Sequence, residues 1–401
     1  MYPNIRGIAR SLACALGALV TTAAIAQVPP QPVVVQPGFQ VIPFSGFWAG
    51  TQPFKSPKFG VVNKAPPHPP MMFISELGGG VVTMVFPNGM NVPYAPMPAP
   101  ANPSGIDIDG PVFNFSGNTM GIYGGPPTMG VAEVAPGAVD MILPGGAVAP
   151  MVLPPVCQPG VAALNFDRTP NFTYGGFMYV TDWGGDQTDS VMVVMPGGFM
   201  MPFAPLPGLD PRYMTFDNTG GATGYGPSAM WVTSFQGPVF SVNPGGIMNP
   251  PLAILQPGTE GLSFALGDLC YGTKLYVGNL QLGTIDIVAP NGAVMPFAIG
   301  FPGAAYLMFV KQGPYAINGS PTLYVLDGID TVWAIIPLPH PGVYDLNGDA
   351  KIDGADLAIL LGAWGPVPPG IIFPPDFNGD GMVDAQDLAV LLGAWGPCLC
   401  K

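Results

Sequence analysis

The sequence predicts a mainly β protein: a six-bladed β-propeller, followed by a small C-terminal α-helical unit built on two acidic loops. Three observations carry this. A Pro-Asn/Gly-Gly turn recurs five times through the body of the chain, strand-like runs flank every copy, and two nearly identical stretches close the chain, DLNGDAKIDGADLAILLGAWGP and DFNGDGMVDAQDLAVLLGAWGP. Composition agrees. The 401 residues are 48% hydrophobic and 10% aromatic, enough for a large core, while 57 glycines and 53 prolines with only 9% charged residues suit a turn-rich all-β chain.

Residues 1–26 read as a secretory signal peptide. Arg6 and Arg10 precede an apolar stretch that ends in the small-residue site Ala24-Ile25-Ala26. The expected location is therefore secreted or extracellular, whether cell-surface associated or periplasmic, and no later stretch is expected to span a membrane. Loss of the two leader arginines leaves nine basic against 24 acidic side chains, a formal charge of −15. Nucleic acid is not an expected partner, because phosphate binding needs clustered Lys and Arg. Export also permits disulfides among Cys157, Cys270, Cys398 and Cys400, whose pairing the sequence leaves open.

Residues 27–38, QVPPQPVVVQPG, read as a proline-rich spacer. The repeats follow in 39–337. VFPNGMNVPYAP (85–96), ILPGGAVAPMVL (142–153), VMPGGFMMPFAP (194–205), VNPGGIMNPPLA (242–253) and VAPNGAVMPFAI (288–299) align on Gly89, Gly146, Gly198, Gly246 and Gly292, spaced by 57, 52, 48 and 46 residues. Each predicts a hairpin on a two-residue Asn-Gly or Gly-Gly loop, where positive φ is needed. Upstream lie strand candidates such as MMFIS (71–75), MYVTD (178–182), MWVTS (230–234), LYVGN (275–279) and LYVLD (323–327), and before these YMTFD (213–217), GLSFA (261–265) and YLMFV (306–310). Four strands in about 50 residues is the size of a propeller blade. The second unit is irregular, with an insertion within 105–129. The last unit lacks its outer strand, and FQVIPFSG (39–46) is expected to supply it and close the ring.

These units resemble six-bladed propellers of the NHL and lactonase-like kind over roughly residues 39–337. That resemblance implies the fold alone. Lactonases of this kind hold a catalytic divalent metal with converging carboxylates and an amide, and the repeats present no comparable set. The chain has three glutamates, Glu76, Glu133 and Glu260, and two histidines, His68 and His340, both set among prolines. TDWGGDQTDS, with Asp182, Asp186 and Asp189, is read first as an Asp/Gly-rich turn and second as a cation loop. Met200, Met201 and Met214 are read as core filling. The propeller is thus expected to be a noncatalytic binding module for a glycan or peptide; the alternative is a hydrolase or lyase acting on a polysaccharide or a lactone.

After a proline-rich linker, 338–343, the acidic repeats occupy 344–401. Numbered as twelve-residue calcium loops, the first places Asp345, Asn347, Asp349, the Lys351 carbonyl, Asp353 and Asp356 at positions 1, 3, 5, 7, 9 and 12. The second places Asp376, Asn378, Asp380, the Met382 carbonyl, Asp384 and Asp387 there, 31 residues on. Calcium takes six to eight hard oxygen ligands, which alternate loop positions can wrap around one ion. Each loop enters a short helix whose apolar side is expected to carry Leu360, Leu361 and Trp364, or Leu391, Leu392 and Trp395. The duplicated loop followed by a single helix resembles a type I dockerin. That resemblance implies two calcium ions and docking to a cohesin-like protein or a cell-surface component. Position 6 is Gly381 in the second loop but Ala350 in the first, and positions 10 and 11 are Gly354-Ala355 and Ala385-Gln386.

Overall fold

The computed structural model describes residues 32–36, 38–46, 53–63, 70–98, 102–108, 129–133, 138–152, 160–169, 172–182, 189–195, 199–217, 224–226, 229–265, 271–304, 306–317, 320–337, 344–347, 351–367, 375–378 and 380–397. The signal peptide, His68, His340, the four later cysteines, Asp186, Gly198, Asp349, Ala350 and the linker 338–343 lie outside them.

Six antiparallel sheets of the expected size are present. Blade 1 comprises Pro57–Val62, Met72–Glu76, Val81–Val85 and Asn91–Pro96, and blade 2 Pro103–Ile108, Met129–Glu133, Val139–Ile142 and Val148–Val152. Blades 3 to 5 repeat the meander from Val161, Pro211 and Thr259. Blade 6 takes three strands from Tyr306–Val310, Thr322–Leu326 and Val332–Pro337 and its outer strand from Phe39–Ser45, in register with Val332–Pro337. The chain thus closes its own ring, as the orphan strand in the sequence predicts. One expectation fails nearby: Val33–Val34, within the presumed spacer, pairs with Val294–Ile299 as a fifth strand on blade 5.

The hairpin turns also differ from expectation. In blade 1, Phe86 and Met90 pair across the turn while the Gly89 N–H donates to the Phe86 carbonyl at 2.9 Å. The loop is therefore three residues; its last glycine alone has positive φ at Gly89 (+81°) and Gly246 (+75°), whereas in blade 2 both Gly145 and Gly146 do, as expected (+94° and +89°). The glycine serves a second purpose. A Cβ on Gly89 would run into the Phe44 carbonyl of blade 6, and one on Gly146 into the Tyr94 carbonyl of blade 1, so each turn seats against the outer strand of the preceding blade. Four residues after each turn glycine comes a proline. Pro93, Pro150, Pro202 and Pro296 sit where the outer-strand register shifts, which removes edge donors that another strand would use.

A set of tyrosines that the sequence reading passed over links the blades. The Tyr315 hydroxyl of blade 6 accepts from the Met72 N–H at 2.9 Å and donates to the Val85 carbonyl of blade 1. Met72 and Val85 face each other across the ladder, so one hydroxyl satisfies a donor and an acceptor on adjacent strands. Tyr174 bridges Met230 and Val242 of blade 4 in the same way, Tyr225 bridges Leu275 and Val288 of blade 5, and Tyr271 bridges Leu323 and Ile335 of blade 6.

The C-terminal unit has helices α1 (Gly354–Gly362) and α2 (Ala385–Gly393). Its halves interlock. Lys351–Ile352 of the first loop pairs with Gly396–Pro397 after α2, and Gly365–Pro366 after α1 pairs with Met382–Val383 of the second loop. Ile352, Leu360, Val383 and Leu391 form its buried centre. Leu361, Trp364, Leu392 and Trp395 do not line that centre as expected, being 49–50% exposed. Each nine-residue helix buries a single leucine, because the paired strands supply the rest of the core.

Candidate functional site

The first strand of each blade faces the axis, and side chains from opposite blades meet there. The ring of Phe59 in blade 1 lies 5.4 Å from that of Tyr213 in blade 4 and 4.9 Å from that of Tyr306 in blade 6. The Tyr213 hydroxyl donates to that of Tyr306 at 3.1 Å, and Tyr306 donates to the Gly60 carbonyl at 3.0 Å. These three rings plug the axis. Burial pushes the Tyr213 hydroxyl up to about 12 and raises that of Tyr306 further, so both stay protonated donors.

On the side where the first strands begin, Lys58 Nζ lies 3.2 Å from Glu260 Oε2, and Arg212 lies 3.9 Å from Glu260 and 2.8 Å from Asp210. The Arg212 guanidinium also stacks 4.4 Å above the Phe235 ring. On the side where the first strands end, a cleft of about 430 Å³ opens above the aromatic plug, large enough for a small molecule. Its walls are Val61, Ile106, Phe264 and Met308, with Asp107, Asn165 and Arg168 on one side and Lys311 and Gln312 at the rim. Asp107 is 3% exposed; its carboxylate accepts from the Phe166 N–H at 3.0 Å and from Arg168 Nη2 at 2.7 Å. Arg168 Nη2 also donates to the Ile108 carbonyl at 2.6 Å, which fixes the guanidinium at the cleft wall.

In the TDWGGDQTDS stretch, Asp182 and Asp189 are both buried, and Asp189 accepts from the Asp210 N–H at 3.0 Å. Residues 183–188 between them lie outside the described residues. Met200 and Met214 are core residues, whereas Met201 is 38% exposed on an outer strand, contrary to expectation. In blade 2, Glu133 and Asp140 form a buried acid pair; burial and the neighbouring Asp140 push the Glu133 carboxyl up to about 8, and burial raises that of Asp140 as well.

The two C-terminal loops share one hydrogen-bond plan. Asp353 and Asp384 cap their helices, and the fully buried Asp356 and Asp387 complete capping boxes. The Asp356 carboxylate accepts from the Leu346 N–H at 2.7 Å and the Asp353 N–H at 2.9 Å; Asp387 accepts from Phe377 and Asp384 at the same distances. In the second loop the Gly381 N–H donates to Asp376 at 3.0 Å, Asp380 N–H to Asn378 Oδ1 at 3.0 Å, and Met382 N–H to Asp380 Oδ1 at 2.9 Å. Asn378 and Asp380 nevertheless remain exposed, and among the described residues no three acidic side chains converge as a metal-holding group. A carboxylate offers about four lone-pair sites, so these bonds leave oxygen capacity for a hard cation. The described part of the first loop contains Asp345, Asn347, Lys351, Asp353 and Asp356.

No protein-family model matches the sequence, and no curated protein matches it. Several solved structures share its shape. A gluconolactonase from Xanthomonas campestris superposes with a TM-score of 0.54 at 14% identity, over 77% of this chain and 95% of that one. An auxiliary nutrient-binding protein from Bacteroides ovatus gives 0.52 at 10% identity, over 76% and 78%. Virginiamycin B lyase from Staphylococcus aureus gives 0.47 at 13% identity, over 75% and 99%. At these identities the likeness shows the fold alone: a six-bladed propeller with lactonase-like structural neighbours.

Proposed function

We propose that the chain is an exported, noncatalytic binding propeller, held in place by a calcium-binding, dockerin-like C-terminal unit that docks to a cohesin-like protein or a cell-surface component. The observation that carries this reading is the duplicated loop–helix unit, in which the aspartate at position 9 caps the helix and the aspartate at position 12 completes the capping box in both copies. Two calcium ions are assigned. Asp345, Asn347, Asp349, Asp353 and Asp356 with the Lys351 carbonyl hold the first; Asp376, Asn378, Asp380, Asp384 and Asp387 with the Met382 carbonyl hold the second. Calcium would supply the charge that lets four carboxylates share one loop. Exposed apolar side chains support docking, since Ile359, Leu361 and Trp364 and their counterparts Val390, Leu392 and Trp395 are 36–50% exposed on an otherwise acidic protein.

The propeller's part in this reading is to bind a ligand. The carboxylates at its axis are already engaged, Glu260 by Lys58 and Arg212 and Asp107 by Arg168, which leaves them ill-placed as general acids or bases. Calorimetric titration of the leader-free chain with calcium is expected to show two sites, one of them lost in Asp380→Ala. A flat titration refutes the calcium assignment. Turnover of a polysaccharide or lactone by the same protein refutes the noncatalytic one.

A further inference from the structure

The perimeter of the propeller carries no charge. No Lys, Arg, Asp or Glu occurs in 27–54, 85–98, 142–153, 192–209, 218–259 or 287–310, the stretches that hold the six outer strands and the turns leading into them. The nine basic and 24 acidic side chains of residues 27–401 all lie elsewhere. Sheet proteins ordinarily place charge on outer strands, because an open edge invites association.

On blades 4 and 5 the perimeter is also apolar. Ile247 and Met248 follow the turn of blade 4, Ile254 lies on its outer strand, and Val294 and Met295 open the outer strand of blade 5; all are 39–74% exposed. A Cβ on Gly292 would run into the Leu252 carbonyl, so the blade 5 turn lies against the outer segment of blade 4 and their side chains share one surface. Gly246 brings the blade 4 turn against the Phe203 carbonyl of blade 3 in the same way, near the exposed Met201. A continuous apolar surface of this kind marks an interaction site.

Three observations narrow what covers it. Pro296 stands at the register shift of the blade 5 outer strand, and Pro250 and Pro251 precede that of blade 4, so strand pairing is blunted and side chains must make the contact. Unpaired carbonyls on open sheet edges do not enter hydrocarbon, which argues against insertion into a bilayer. Finally, copies of an acidic chain repel wherever their charges face, so a second copy approaches closely only through charge-free surface.

We propose that two copies of the chain associate through this perimeter, with the apolar surface of blades 4 and 5 packed against itself about a twofold axis. The test is sedimentation velocity of residues 27–401 over a concentration series. A monomer–dimer equilibrium is expected that tightens as salt rises, because salt screens the repulsion between the acidic remainders and leaves the apolar contact intact. Ile254→Asp and Ile247→Asp are each expected to weaken it at least tenfold at unchanged melting temperature, since the twofold sets two new carboxylates in one interface. Leu282→Asp, 54% exposed in the turn between the second and third strands of blade 5, is the control and should leave the dimer intact. A monomer at every concentration overturns the proposal, as do a dimer indifferent to both perimeter variants and assembly beyond a dimer. The dimer is expected in calcium and in chelator alike. One that needs calcium, or that is lost in Trp364→Ala with Trp395→Ala, places the contact on the C-terminal unit and contradicts the proposal, and a monomer that floats with phosphatidylcholine vesicles assigns the surface to lipid instead.

Discussion

The propeller and the C-terminal unit are both made of repeats, yet they close their repeats by opposite means. In the ring, tyrosine hydroxyls bridge neighbouring blades, turn glycines seat against neighbouring carbonyls, and the terminal strand completes blade 6. Every one of these contacts is uncharged, and where carboxylates do join blades, Glu260 and Asp107 are already neutralised by Lys58, Arg212 and Arg168. In the C-terminal unit the centre is four buried aliphatic side chains, and the loops around it are organised by carboxylates, two of them fully buried. A repeat closed by neutral contacts is indifferent to cations, whereas a small one closed by carboxylates depends on what neutralises them.

The largest expected effect comes from cutting a carboxylate clasp. Asp387→Ala leaves the half-buried N–H groups of Phe377 and Asp384 without their charged acceptor, at ~1–3 kcal/mol for each lost bond. The expected result is loss of α2 helicity by amide exchange while the propeller strands keep their protection. Tyr315→Phe is the matching cut in the ring. It strips the Met72 N–H and Val85 carbonyl of one shared partner, with an expected loss of ~2 kcal/mol in denaturant unfolding. That loss should be the same with calcium or with chelator, and calcium dependence there would collapse the contrast between the regions.

A smaller effect separates the two loops. Gly381 has φ of +87° and open space around an added Cβ, so Gly381→Ala costs only backbone strain, ~1–2 kcal/mol. About tenfold weaker calcium binding at the second site is expected, and the reciprocal Ala350→Gly should strengthen the first. A pH-dependent effect lies in blade 2. Glu133, ordinarily near 4.5, keeps its proton to about 8 in the folded chain, whereas the unfolded chain releases it above its ordinary value. The folded state then binds more protons than the unfolded one, so this pair's contribution makes stability fall as pH rises from about 4.5 to about 8. Glu133→Gln should flatten that slope in thermal melts across the window, and an unchanged slope would remove the pair from the account.

Much of the ring was legible because its signals are local. Pro-Asn/Gly-Gly turns, apolar runs and the missing sixth outer strand are each read within a few residues, and the assignment of the N-terminal strand to the last blade follows from them, as Phe39–Ser45 on Val332–Pro337 bears out. The tyrosine bridges were not legible. Tyr174, Tyr225, Tyr271 and Tyr315 fall 51, 46 and 44 residues apart among 13 tyrosines, and their partners lie in the next blade. Only alignment of the turns would have set them in one column. The cleft was hidden for the same reason, since Val61, Asp107, Arg168, Phe264 and Lys311 come from five blades. In the C-terminal unit the loop spacing was legible, but not which helix face is buried. AILLGAW and AVLLGAW are apolar nearly all round, and strand pairing from the other half decides that Leu360 and Leu391 go inside while Trp364 and Trp395 stay out.

The contrast between the two regions is tested most directly by amide hydrogen exchange of residues 27–401 in calcium and in chelator. The predicted result is a large loss of protection in chelator confined to α1, α2 and the paired segments Lys351–Ile352 and Met382–Val383, with Met72–Glu76 and Thr322–Leu326 unchanged. Identical exchange throughout the C-terminal unit in the two conditions, or a loss spread equally through the propeller strands, would contradict it.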